Sequence, residues 1–258
     1  MDRPNGREFM RILNQLAMIG SAQFGLSSRL DCHMYAVRSP EGVVLVDAGS
    51  GLGEREVAAH LDADFPGVAV AGLILTHSHM DHSGGAEALR KRFGCKLFVS
   101  KETRPILESA DEERSGLRRA REMGGYPEDL HMKPCAIDWA YQSGEAFEAG
   151  GRRWRAVHVR GHSNDSYCLM TEIEGRNACF SGDVVFYGGV LGVINSWDSD
   201  LHGYVEDLPQ LTNAKIDMLL PGHGLFTLKN GQRHVDAAIR SLENGFLPQQ
   251  IGQGAAIF

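Results

Sequence analysis

The chain has 258 residues, 43 % hydrophobic and 23 % charged, with a formal net charge of −7. That is the balance of a globular protein long enough for a sizeable core, and α/β folds of this length are often one domain, expected here over residues 1–258. The acidic balance disfavours a surface tracking nucleic-acid phosphates, and no run approaches the ~20 apolar residues of a membrane span.

The N-terminal stretch "MDRPNGREFMRILNQ" lacks the long apolar core of a signal peptide. The five cysteines (Cys32, Cys95, Cys135, Cys168 and Cys179) are odd in number, scattered, and never form C-x-x-C. They are expected to be buried or free thiols in a reducing compartment. Both observations point to a cytoplasmic address.

Short β-branched runs dominate the first half. "CHMYAV" (32–37) and "GVVLVDAG" (42–49) predict paired strands turning at Pro40-Glu41-Gly42. "EREVAAHLDADF" spaces Val57, Leu61 and Phe65 four apart, a helix face. "VAVAGLILT" (68–76) predicts a buried strand, "GGAEALRKRFG" a helix ended by Gly94, and "CKLFVS" another strand. This alternation predicts a layered α/β architecture. Residues 101–133 are charged and helix-favouring, a helical insertion whose Met123, Tyr126 and Met132 are candidates to face inward as a lid. In the second half, "RRWRAVHVRG", "DSYCLMTEIEG" and "RNACFSGDVV" predict closely spaced strands. A helix over "LHGYVEDLPQL", a strand over "IDMLLPGH" and a last amphipathic helix over "HVDAAIRSLENGF" complete the pattern. No tandem repeat or low-complexity segment is seen.

The chemistry concentrates in "LILTHSHMDHSGG". His77, His79, Asp81 and His82 crowd the end of an apolar strand. Burying such groups unpaired would cost several kcal/mol, whereas side chains on a loop past a strand end can converge on cations. Three further donors follow the same grammar of apolar run, small residue, ligand: His162 in "RGHSNDS", Asp183 in "CFSGDVVF" and His223 in "MLLPGHG". The order His-x-His-x-Asp-His, then His, Asp, His, is highly specific.

This pattern resembles the metallo-β-lactamase-fold superfamily from Val43 to about Gly224. The resemblance implies an α/β fold of the αββα four-layer sandwich type, with the site along one edge between two sheets. By the family motif, His77, His79 and His162 would hold one metal, Asp81, His82 and His223 a second, and Asp183 would bridge them. Asp47, closing "VLVDAG", matches a family aspartate that supports the site from behind its ligands. His and carboxylate donors suit two Zn²⁺, with Fe or Mn also acceptable. Two such cations lower the pKa of a shared water towards ~7 and polarise a substrate oxygen. Asp81 is then both a ligand and a candidate to orient the nucleophile.

Several branches share this motif. Glyoxalase II-like thioesterases carry a C-terminal helical domain, for which residues 224–258 leave little room. One lactamase class has a cysteine where Asp183 stands. Acyl-homoserine lactonases use a tyrosine shortly after the bridging aspartate, which makes Tyr187 a catalytic candidate; Trp197 is a candidate apolar wall. The leading expectation is a dinuclear-zinc hydrolase of a small ester, thioester or lactone. The alternatives are β-lactam hydrolysis, a mono-iron persulfide dioxygenase-like oxidoreductase, or a metal site without catalysis. The expected partner is a small-molecule substrate, with no nucleic acid and no membrane.

Overall fold

The computed structural model describes residues 10–251. Seven strands form one mixed sheet in chain order: β1 (Met10–Leu13), β2 (Leu16–Gly20), β3 (Met34–Ser39), β4 (Gly42–Val46), β5 (Val70–Ile74), β6 (Lys96–Ser100) and β7 (Trp139–Tyr141). It is antiparallel up to β4 and parallel from β4 onwards. The second mixed sheet contains β8 (Ala146–Ala149), β9 (Arg152–His158), β10 (Tyr167–Ile173), β11 (Arg176–Gly182) and β12 (Met218–Pro221). Its spatial order is β12-β11-β10-β9-β8, with only β11 and β12 parallel.

Both faces of each sheet are covered, which is why the central strands read as continuous apolar runs rather than alternating ones. The two-residue period persists as a choice between two apolar seams. In β4, Val44 and Val46 point into the seam between the sheets, with Tyr35, Trp154 and Phe180. Val43 and Leu45 point outward to meet Val57 and Leu61 of α1 (Glu54–Asp64) and Leu89 of α3 (Ala86–Phe93). On the far side, Leu219 of β12 packs with Tyr204 of α6 (Leu201–Asp207) and with Val235 and Ile239 of α7 (Gln232–Glu243). Helix, sheet, sheet and helix form the expected αββα sandwich, with the short α2 (Met80–Ser83) at one rim.

The differences from expectation are local. "GVVLVDAG" ends as a strand at Val46, because Asp47 takes a left-handed backbone at φ 63°. The helix over "LHGYVEDLPQL" stops at Asp207 and tightens into a 3₁₀ turn over Leu208–Leu211, where Pro209 offers no N–H. The insertion forms two short helices, α4 (Thr103–Ser109) and α5 (Leu117–Glu122), followed by irregular chain. Among the described residues no helix is long and apolar enough to cross a membrane.

The two sheets are tied beside the functional rim by His33. Its N–H donates to Gly222 O at 2.7 Å, its Nε2 donates to Gly224 O at 2.9 Å, and its Nδ1 accepts from the Ser21 hydroxyl at 2.9 Å. Burial lowers the pKa of His33 to about 4, from an ordinary 6.5. The folded protein therefore holds this ring neutral while the unfolded chain protonates it. Metal-free protein should lose about 3 kcal/mol from this group as pH falls from 6.5 to 4. In equilibrium denaturation across that window, His33→Gln should show a shallower fall than wild type; identical slopes would refute the assignment.

Candidate metal centre

Strand ends deliver every donor. β5 stops at Ile74, and the chain passes through Leu75 and Thr76 to His77 and His79 before turning into α2, which carries Asp81 and His82. The turn is braced by Ser83 Oγ donating to Ser78 O at 2.7 Å. His162 follows β9, Asp183 directly follows β11, and His223 lies just beyond β12. The small residues between strand and ligand have a steric reason. A Cβ on Gly222 would sit 2.4 Å from Asp183 Oδ1 and 2.5 Å from His82 Cε1, so only glycine lets β12 approach.

The seven donors gather into two groups. The donor atoms of His77, His79 and His162 lie within 4.8 Å of one another, with His162 Nε2 only 2.8 Å from His79 Nδ1. Asp81, His82, Asp183 and His223 form the second group, within the same span. His223 Nε2 is 3.0 Å from Asp81 Oδ2, and His82 Nε2 is 3.2 Å from Asp183 Oδ1. Asp183 sits between the groups: its Oδ2 is 3.5 Å from both His162 Nε2 and His223 Nε2.

The rear of three of the five histidines is fixed by the chain itself. His82 Nδ1–H donates to Asp47 Oδ2 at 2.9 Å, while Asp47 Oδ1 accepts from the Thr76 N–H at 2.8 Å. The Thr76 hydroxyl donates to the same carboxylate and accepts from His77 Nδ1–H at 3.0 Å. His162 Nδ1–H donates to Gly192 O at 2.6 Å. These bonds fix the tautomer and turn each Nε2 inward. There, His77 Nε2, His82 Nε2 and Asp183 Oδ1 are buried and have no hydrogen-bond partner. Buried polar atoms are rarely left so. A cluster of inward lone pairs on nitrogen and carboxylate oxygen fits divalent cations of the zinc, iron or manganese type.

The electrostatics agree. Burial, reinforced by the neighbouring His82, His79 and His162, holds His77 well below its ordinary pKa, and burial lowers His162 to about 4. Both are neutral, as ligands must be. Burial opposes ionisation of Asp81 and Asp183, but without a bound cation these carboxylates raise the pKa of His82 and His223, and the positive charges so gained hold both carboxyls below the usual range; a bound cation would take the place of those protons. Cys32 also comes near Asp47 and His82. However, those two already bond to each other, and burial pushes the thiol up, so Cys32 serves packing rather than ligation.

A cavity of 410 Å³ opens over the donors, with His79, Asp81, His162, Asp183 and His223 on its floor. One wall is the insertion, through Leu117, Met123 and Tyr126; Ile194 and Ile251 form the other. Met132, also a candidate to face inward, packs instead into the core beneath the outer helices. Tyr187 is not among the residues lining the cavity. Its ring lies tilted against His234 with centroids 4.2 Å apart, and its hydroxyl accepts from Arg233 at 3.1 Å. Trp197 is 58 % exposed and likewise outside the lining. His131 pairs with Glu112, and His158 stacks on Tyr167. Sequence reasoning missed Gly192, which acts through its carbonyl, and Ile194 and Ile251, which are apolar residues without a motif.

The metallo-beta-lactamase superfamily model matches residues 28–223. An atrochrysone carboxyl ACP thioesterase of Aspergillus fumigatus is 28 % identical over 76 % of this chain, which spans 51 % of that relative. The acyl-coenzyme A thioesterase MBLAC2 of Bos taurus is 29 % identical, covering 74 % of this chain and 72 % of its own. The chain thus spans about half the length of the fungal relative. Among solved structures, a metallo-beta-lactamase of Cronobacter sakazakii superposes with a TM-score of 0.69 at 17 % identity, covering 92 % of this chain and 93 % of that one. The FEZ-1 metallo-beta-lactamase of Legionella gormanii gives 0.68 at 17 %, covering 95 % and 97 %. At that identity the superpositions speak for the fold alone. The family model takes in the whole donor set from His77 to His223, and on that match the chain belongs to the metallo-beta-lactamase superfamily.

Proposed function

We propose that the chain is a dinuclear-zinc hydrolase of acyl thioesters. The observation that carries this reading is the pair of donor groups joined through Asp183 on the floor of a cavity with apolar walls. The thioesterase names of its relatives support the choice of bond. His77, His79 and His162 would hold one cation; Asp81, His82 and His223 the other; Asp183 would reach both. When bound, the cations supply an activated water at neutral pH and a Lewis acid for the acyl oxygen.

The chain's own residues do the rest. Asp81, ionised and on the cavity floor, orients the attacking water by accepting a hydrogen bond from it. Leu117, Met123 and Ile194 receive the acyl chain and exclude water around it. The leaving thiolate needs little protonic help, since a thiol has a pKa near ~8.5. A dedicated general acid is therefore not demanded, in contrast to amide cleavage.

Zinc-replete protein should hydrolyse acyl thioesters in preference to lactones, simple esters, β-lactams and phosphodiesters, and a chelator should abolish the activity. A β-lactam preference, or one bound iron with oxygen uptake, would defeat the reading. Asp81→Asn should keep the fold and lower kcat on the order of 10²- to 10⁴-fold; near-wild-type turnover would exclude its role in orienting the water. Asp47→Asn removes the charge and leaves one acceptor oxygen where two serve Thr76 and His82, and should weaken zinc binding about 10- to 100-fold, measured by chelator competition. Unchanged affinity would show that Asp47 serves only the local fold.

A further inference from the structure

Asp81 is engaged from two sides. Its Oδ2 faces the donor cluster, 3.0 Å from His223 Nε2 and 3.5 Å from His82 Nε2. Its Oδ1 accepts a hydrogen bond from the Tyr126 hydroxyl at 3.2 Å. Tyr126 belongs to no part of the ligand motif. It lies 45 residues further along, in the insertion beyond α5, and its ring lines the cavity.

A carboxylate rotates easily about its last torsion, which has broad wells. With both oxygens unclaimed, Asp81 would offer either one, or both, to a cation. A hydroxyl donor on an ionised acceptor is roughly twice as strong as a neutral pair, and it removes that freedom. We propose that Tyr126 is a positioning residue for the second donor group: its hydroxyl holds Asp81 Oδ1 and so presents Oδ2 to the cation shared with His82 and His223. The inference rests on the two-cation part of the reading above. It makes the insertion a component of the metal centre as well as a wall. The ring and the hydroxyl have separate duties, the ring shaping the acyl site and the hydroxyl orienting the ligand.

The test is a zinc titration of metal-free, full-length protein against a chelating indicator, for wild type, Tyr126→Phe and Tyr126→Ala. Equal thermal midpoints of the metal-free proteins serve as the fold control. Tyr126→Phe should bind the first zinc as wild type does and the second about tenfold or more weakly, the usual scale for losing a partner behind a ligand. With an acyl thioester at fixed subsaturating zinc, kcat should fall while KM holds, because the ring remains. Tyr126→Ala should show the same zinc defect with a raised KM. A Tyr126→Phe protein that binds two zinc ions with wild-type affinity overturns the proposal, as does a wild type that never takes a second zinc. If zinc binding responds as expected but no acyl thioester is cleaved, the positioning role stands and the thioesterase reading falls.

Discussion

Seven ionisable side chains are packed at the rim where two sheets meet, and the need to satisfy them in a dry environment governs much of what surrounds them. His77, His82 and His162 are all but inaccessible to water. Left unpaired, each polar atom would cost several kcal/mol. The chain answers half of that demand itself. Asp47, Thr76 and the Gly192 carbonyl hold the outer nitrogens of the three rings. The inner atoms face one another across the centre and include three with no partner. Two of the local backbone features serve this arrangement. Asp47 is held at φ 63°, a left-handed conformation costly for a residue with a side chain. Gly222 has no Cβ where one would strike Asp183 and His82.

Strand direction explains why donors so far apart in sequence meet at one edge. β4 and β5 are parallel, so Asp47 and the His77 loop leave their sheet at the same end. In the second sheet β9 and β11 are both antiparallel to β10, and β12 is parallel to β11. These three strands therefore run the same way, and His162, Asp183 and His223 all emerge beyond their carboxyl ends. The seam of Tyr35, Val46, Ile74, Phe180 and Leu220 glues the two sheets face to face. It brings the edges to within bonding distance, as the Tyr35 hydroxyl shows by donating to Pro221 O at 2.8 Å. Core and site are one construction: without the apolar seam, the two halves of the donor set have no common frame.

The sequence made the donors legible because each follows a buried apolar run, and a strand's end is where side chains can leave the core. A layered α/β architecture was legible for a related reason, since helix-period and strand-period stretches alternate, whereas the four-layer order came only with the family resemblance. What escaped lacked such signals. The β1–β2 hairpin turns at Asn14-Gln15 with no glycine or proline to mark it. β7 has three residues, too few for a period to show. Nearness in sequence also misleads about direction. Tyr187 lies four positions after Asp183, but a 3₁₀ turn swings it onto α7 and His234. Gly192 acts through a main-chain oxygen, which no residue type announces.

The insertion walls a floor of fixed donors. It is anchored from within: Leu107, Leu117 and Met132 join the outer core. Glu112 binds it together, accepting from Arg121 at 2.8 Å, His131 at 2.9 Å and the Met132 N–H at 3.2 Å. Its other side presents Met123, 59 % exposed, to the cavity mouth. The inner edge meets the floor at two points. Tyr126 bonds to Asp81, and Gly116 lies so near His79 that an added Cβ would stand 3.7 Å from Nε2. At Gly116 the backbone is left-handed, at φ 73°, which lets α5 begin close against the ligand. Met123 bounds what enters the cavity, whereas Gly116 and Tyr126 stand against the donors themselves. Cavity wall and donor geometry thus meet in the same thirty-odd residues, well beyond the length at which a loop needs structure of its own.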